Sequence, residues 1–226
     1  MIFVTGTDTG IGKTVLSVML MHYFFAKGKT PFYLKPAQTG CIDPYDADSD
    51  ARFIYQQVPQ LKGKNPTDSV VCCFKNPKAP YFAARDEGTV VDMDLIFKTI
   101  TDKHGAFNPL IVEGAGGLMV PMTEQMLAVD FIKLLNAKPL LAARAGLGTI
   151  NHTLLSIECL RSRGIQPAGV IFMNPGEPPV SEEMIRENME AVKLFSGITV
   201  AGIIGKIGNF SNPGKDSFRP LENIFG

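Results

Sequence analysis

The stretch Thr5-Gly6-Thr7-Asp8-Thr9-Gly10-Ile11-Gly12-Lys13-Thr14, directly after the apolar opening Met1 to Val4, constrains this chain most. A short strand that breaks into glycine-rich backbone and then starts a helix leaves N–H groups free at the helix N-terminus, where an anion accepts them. Gly6, Gly10 and Gly12 let the backbone approach phosphate oxygens, Lys13 adds a point charge, and the Thr14 hydroxyl suits a magnesium ion. The spacing departs from the common phosphate loop: five residues before Gly12 stands Thr7, and the preceding glycine, Gly6, is six before it. The competing account is a glycine-rich turn with a surface lysine. Strand, glycines, Lys-Thr and a following amphipathic helix occur together, which favours a phosphate loop and a nucleoside triphosphate.

Short apolar runs alternate with helical patterns along the rest of the chain. Strands are expected at Ile2 to Val4, Pro31 to Lys35, Val70 to Phe74, Leu110 to Glu113, Pro139 to Ala143, Ala168 to Met173 and Thr199 to Ile204, with a helix from Lys13 to about Lys27. Such runs predict an α/β fold of the P-loop NTPase type, a mostly parallel central sheet with helices on both faces. At 226 residues, with no internal repeat or dividing linker, one domain over 1–226 is expected. Two stretches resist assignment: the acidic, turn-rich Asp43 to Asp50, and Gly205 to Gly226, which reads as loop with weak local order.

Composition narrows the partners. Twenty-two basic residues balance twenty-two acidic ones, so no global field favours nucleic acid or an anionic membrane. No apolar run approaches the ~20 residues needed to cross a bilayer, and no basic segment precedes the first apolar one. A soluble, cytoplasmic protein is expected. Cys41, Cys72, Cys73 and Cys159 have no metal-site spacing and read as reduced thiols. His22, His104 and His152 form no ligand pattern, and His22, within an apolar helical stretch, reads as a packed side chain.

In parallel α/β sheets ligands gather at the carboxyl ends of strands. Lys35 ends the second expected strand, Glu113 ends the fourth, and Asn174 follows the sixth. A triphosphate brings Mg²⁺, which takes oxygens in an octahedron with few protein ligands. Thr14 offers one and Glu113 is the best second, since it precedes the small run Gly114-Ala115-Gly116-Gly117. Asp50 is a third candidate, functional or simply solvated. An EF-hand starting at Asp46 fails, because Ala51 and Gln57 stand where glycine and glutamate are required. Lys35, in Lys35-Pro36-Ala37-Gln38-Thr39-Gly40, reads as a solvated lysine before a turn or as a cation near the terminal phosphate, with Thr39 free to bond a substrate between them. Gly146 to His152 reads either as a simple turn or as a helix start that holds a second anion. A helix N-terminus supplies ~0.3 to 2 kcal/mol, whereas catalysis requires ~8 kcal/mol or more. The remainder falls to the metal, the two lysines and alignment.

Together the Thr5 to Thr14 loop, Lys35-Pro36 with Thr39-Gly40, Ser49-Asp50-Ala51, Val112-Glu113-Gly114-Ala115-Gly116-Gly117 and Leu147-Gly148 with Ile150-Asn151-His152 resemble the dethiobiotin synthetase family in order and spacing. The resemblance spans most of the chain. It implies a P-loop homodimer that uses ATP, Mg²⁺ and carbon dioxide to close a ureido ring on 7,8-diaminopelargonic acid, in biotin synthesis. It implies Mg²⁺ on Thr14, Asp50 and Glu113, and nucleotide contacts from Gly10, Ile11, Gly12, Lys13, Thr14, Asp50, Glu113, Gly114, Ala115, Gly116 and Asn174. Lys13 and Lys35 are its implied catalytic lysines, Thr39 contacts substrate, and Gly148, Thr149, Ile150 and Asn151 of the other subunit bind the substrate's carboxylate tail. This chain departs from the family at Pro175, which removes a backbone donor, and over Gly205-Lys206-Ile207-Gly208, where the family helps to enclose adenine. Weaker adenine discrimination is the expectation.

Two rivals stand beside this reading. An amide synthase acting on a carboxylate would need a glutamine-hydrolysing domain for which no length remains. A dimeric P-loop ATPase switch that controls protein association would have no need of Lys35 and Thr39 to hold a small diamine.

Overall fold

The computed structural model describes residues 1–176 and 179–226. Seven strands form one sheet: β1 (Ile2–Gly6), β2 (Phe32–Thr39), β3 (Val70–Phe74), β4 (Leu110–Gly117), β5 (Lys138–Arg144), β6 (Gly169–Met173) and β7 (Val200–Ile204). Their order is β3-β2-β4-β1-β5-β6-β7, and every ladder between them is parallel. The helices are α1 (Lys13–Ala26), α2 (Asp50–Gln57), α3 (Pro80–Asp86), α4 (Met93–Ala106), α5 (Ala128–Leu134), α6 (Thr149–Arg161), α7 (Glu182–Ser196) and α8 (Arg219–Phe225).

The strand period of two sorts side chains onto two faces. Ile2, Val4, Tyr33, Ile111, Leu140 and Ala142 pack with α1, α2 and α8. Their neighbours Phe3, Leu34, Leu110 and Val112 pack with α4 and α5 on the other face, and Leu141 and Ala143 pack there with α6 and α7. Burial on both faces explains the near-continuous apolar runs.

All seven expected strands are present, and β2 and β4 run farthest beyond their expected ends. Lys35 and Glu113 are not terminal: β2 runs on to Thr39 and β4 to Gly117. The continuation is invisible in apolar patterning because it turns on strand pairing, which β2 exchanges and β4 partly loses there. β2 pairs with β4 only as far as Leu34 opposite Val112, and from Lys35 onward it pairs with β3. β4 keeps β1, but with a bulge: Val4 is opposite Glu113, whereas Gly6 is opposite Gly117. β2 and β4 therefore cease to pair at the residues immediately before Lys35 and Glu113. Within the bulge, a Cβ on Gly114 would stand 2.9 Å from the ring of Phe3, so no larger residue packs there without displacement.

The C-terminal expectation is corrected. After an irregular stretch, a 3-10 turn (Lys215–Phe218) leads into α8. Leu221 is fully buried, and Phe225 lies edge-on to Phe24 at 5.4 Å. Glycine, asparagine and proline between 205 and 214 masked a helix only seven residues long, whose order comes from packing rather than propensity.

Candidate active site

Lys35 and Tyr33 leave β2 on the same face, as do Ile111 and Glu113 on β4, and that face is covered by α1. The first turns of α1 thus meet the two strands where they part. Gly12 precedes the helix with φ +94°, a left-handed conformation that L side chains avoid. Thr14 donates its hydroxyl toward Asp50 Oδ1 at 2.7 Å and Glu113 Oε1 at 3.0 Å. Lys35 Nζ lies 2.7 Å from Asp50 Oδ2 and 3.0 Å from Glu113 Oε1, and 3.2 Å from the carbonyl oxygen of Gly114. Ser17 and Tyr33 donate to the remaining oxygen, Glu113 Oε2, at 2.7 and 3.2 Å. Lys13, also buried, donates to the carbonyl oxygen of Asp8 at 3.1 Å.

These contacts set the charges. Burial alone would lower the pKa of Lys35, yet the Glu113 and Asp50 carboxylates outweigh it and hold the ammonium protonated well above the ordinary lysine range. Lys13 is shifted the other way, first by burial and then by the charge of Lys35. Burial raises the Asp50 carboxyl, but Lys35, followed by Thr14 and Lys13, brings it below its ordinary value. Lysines and carboxylates thus form one compensated cluster beneath the phosphate loop.

Asp50 is placed by its neighbours. It opens α2, where an acidic residue suits the helix dipole, and the hydroxyl of Ser49 caps the helix by accepting from Arg52 N at 3.3 Å. Gln38, nearly fully buried, accepts from Asp50 N at 3.2 Å and donates to the carbonyl oxygen of Thr39, also at 3.2 Å. The preceding acids have local duties: Asp46 accepts from Ile42 N and Asp48 N, and Asp43 from Tyr45 N.

The donor set fits magnesium. Neighbouring oxygens of an octahedron with ~2.1 Å bonds stand ~3 Å apart, and the Thr14 oxygen stands 2.7 and 3.0 Å from the two carboxylates. Among the described residues no group of three or more His, Cys, Asp and Glu side chains converges to hold a metal. The set is two carboxylates and a hydroxyl, which leaves coordination for phosphate and water.

Beside the loop opens a cavity of about 1120 Å³ that Gly10, Ile11 and Gly12 share with Asn174, Lys206 and Phe210. Asn174 accepts from Gly176 N at 3.1 Å through its own side chain. Gly114, Ala115 and Gly116 form the β4 bulge at the cluster, and half-buried Thr39 ends the strand that carries Lys35. Gly148, Thr149, Ile150 and Asn151 start α6 after β5, on the opposite side of β1 from Lys35. Among the described residues no hydrogen bond joins them to the cluster, and Asn151 is exposed. Ser17, Tyr33 and Gln38 were not anticipated. Ser17 lies one helical turn after Lys13, and Tyr33 lies two residues before Lys35 on a strand, so both had a periodicity signal.

The fold and cluster together define a P-loop α/β protein with a buried lysine–carboxylate group at its phosphate loop. A family model described as an AAA domain matches residues 1–213. The chain is 41% identical over 204 residues to the ATP-dependent dethiobiotin synthetase BioD of Hydrogenobaculum sp. (strain Y04AAS1), covering 85% of this chain and 89% of that one. It is 38% identical over 199 residues to the protein of the same name from Paramagnetospirillum magneticum (strain ATCC 700264 / AMB-1), covering 88% and 84%. Among solved structures it resembles a chain of the MinC:MinD cell division protein complex of Aquifex aeolicus, with TM-score 0.59, 15% identity, and 99% and 93% of the two chains covered. That likeness is one of fold. The chain belongs to the ATP-dependent dethiobiotin synthetase family.

Proposed function

We propose that this protein closes the ureido ring of dethiobiotin, consuming 7,8-diaminopelargonic acid, carbon dioxide and ATP in biotin synthesis. The observation that carries the reading is Lys35, a buried ammonium held between Asp50 and Glu113 at the phosphate loop. Thr14, Asp50 and Glu113 would hold Mg²⁺, which when bound neutralises triphosphate charge. Gly10 to Thr14 would grip the phosphates, and the adjoining cavity would take the nucleoside.

The first step needs a neutral amine. Two lysine ammonium groups nearby lower the pKa of a substrate ammonium by like-charge repulsion, and the free amine attacks carbon dioxide to give a carbamate and a proton. Lys13 and Lys35 stabilise that new anion. Its oxygen attacks the γ-phosphorus, ADP leaves, and a carbamic-phosphoric anhydride forms. The second amine of the same molecule then attacks the anhydride carbon and expels phosphate, an intramolecular step with a reduced entropic barrier. Thr39 would orient the diamine. The α6 start, Gly148 to Asn151, lies away from Lys35 in its own chain, which fits a homodimer in which each subunit binds the carboxylate tail at the other's site.

The test is ADP release that requires both the diamine and bicarbonate, with the ureido product detected by mass. ATP turnover indifferent to the diamine would favour the ATPase switch instead.

A further inference from the structure

Phe210 lines the cavity beside the phosphate loop but belongs to the irregular stretch between β7 and the C-terminal 3-10 turn, where no ladder or helix holds it. His22 of α1 holds it. Its Nε2 lies 2.9 Å from the carbonyl oxygen of Phe210 and 3.1 Å from that of Gln57, the last residue of α2. Both partners only accept, so Nε2 carries the proton and shares it between them. Burial lowers the pKa of His22, which keeps the ring neutral. Two further contacts tie the same stretch to α2: Ser211 Oγ donates to Gln57 Oε1 at 3.1 Å, and Phe53 meets the Phe210 ring edge-on at 5.3 Å.

The helix that begins at the phosphate site and the helix that begins at Asp50 therefore both reach this one stretch. We propose that His22 is a positioning residue for the nucleobase: it fixes Phe210 as a wall of the cavity, so affinity for the base depends on it and affinity for phosphate does not. The proposal rests on the reading that this cavity takes the nucleoside. His22 touches no reacting atom. Its effect travels through one backbone carbonyl and the ring attached to the same residue.

The test compares dissociation constants of ADP and inorganic pyrophosphate, each with Mg²⁺, for the full chain by calorimetry. Wild type binds ADP more tightly than pyrophosphate. His22→Leu, which loses the donor, weakens ADP about 3- to 10-fold, the range for one hydrogen bond, and leaves pyrophosphate unchanged. His22→Gln, which offers an N–H at similar reach, recovers most of the loss. Phe210→Ala keeps the carbonyl and removes the ring, and it shows the same selective loss; with the glutamine variant it decides the matter if His22→Leu does not fold. Equal loss for both ligands, or unchanged ADP affinity in His22→Leu or Phe210→Ala, overturns the proposal while the cavity reading stands. Equal affinity of wild type for ADP and pyrophosphate overturns both.

Discussion

Ser17 donates its hydroxyl to Glu113 Oε2 at 2.7 Å, which leaves Glu113 Oε1 to face Thr14 and Lys35. One carboxylate thus has an anchored oxygen, satisfied by Ser17 and Tyr33, and a working oxygen. Such partners behind a metal ligand set its orientation, and their loss costs ~10- to 100-fold in metal affinity. Ser17→Ala should raise the Mg²⁺ concentration needed for ADP binding by about 10-fold. The measurement is ADP affinity across a magnesium titration, and an unshifted midpoint removes Ser17 from the site.

Lys35 is the only cation paired with Asp50 and Glu113 among the described residues. Removing one partner from a buried pair costs ~3 to 5 kcal/mol because the other charges stay behind. Lys35→Ala should lower the melting temperature in the absence of divalent cations, with Mg²⁺ restoring more stability than it adds to wild type. A magnesium effect equal in both proteins would separate Lys35 from the metal-binding oxygens.

His22 gives the stability curve a slope. Its folded pKa lies below the unfolded value of ~6.5, so between those two values the unfolded chain binds more protons and stability rises with pH. His22→Gln should flatten melting temperature against pH just below ~6.5. A slope identical to wild type would mean that His22 does not titrate as a buried neutral ring.

Leu221 tests the corrected C-terminus. It is fully buried against a core that includes Tyr23 and Ala201. Leu221→Ala should destabilise the fold by about 3 kcal/mol, as large-to-small changes in cores do, measured by denaturant unfolding. A loss below ~0.5 kcal/mol, the surface range, would return the segment to a loose tail.

How much of this was legible from residues alone follows from where each signal resides. Apolar runs are local, so all seven strands could be read directly, whereas the ends of β2 and β4, which run past Lys35 and Glu113, could not. The divergence of β2 and β4 could not, because it lies in which neighbour a strand pairs with, and Ala37 or Ala115 carries no mark of that. Local sequence left Asp50 open among neighbouring acids and only the family resemblance singled it out; the contacts that place it, from Gln38, Ser49 and Lys35, span 12 and 15 positions in the two longer cases. α8 was hidden by its shortness. His22 was read as a packed side chain, and its half-buried ring agrees, but its two carbonyl partners come from stretches 35 and 188 positions away.

The most direct test of the account is single-turnover ADP formation at saturating ATP, with bicarbonate, with and without 7,8-diaminopelargonic acid, in wild type and Lys35→Ala. Wild type should form ADP only with the diamine, and Lys35→Ala should slow that step by about 100-fold or more, the scale for loss of a charge-stabilising group, while ADP affinity stays within about 3-fold. Diamine-dependent ADP formation at the wild-type rate in Lys35→Ala would contradict the central role given to that buried ammonium.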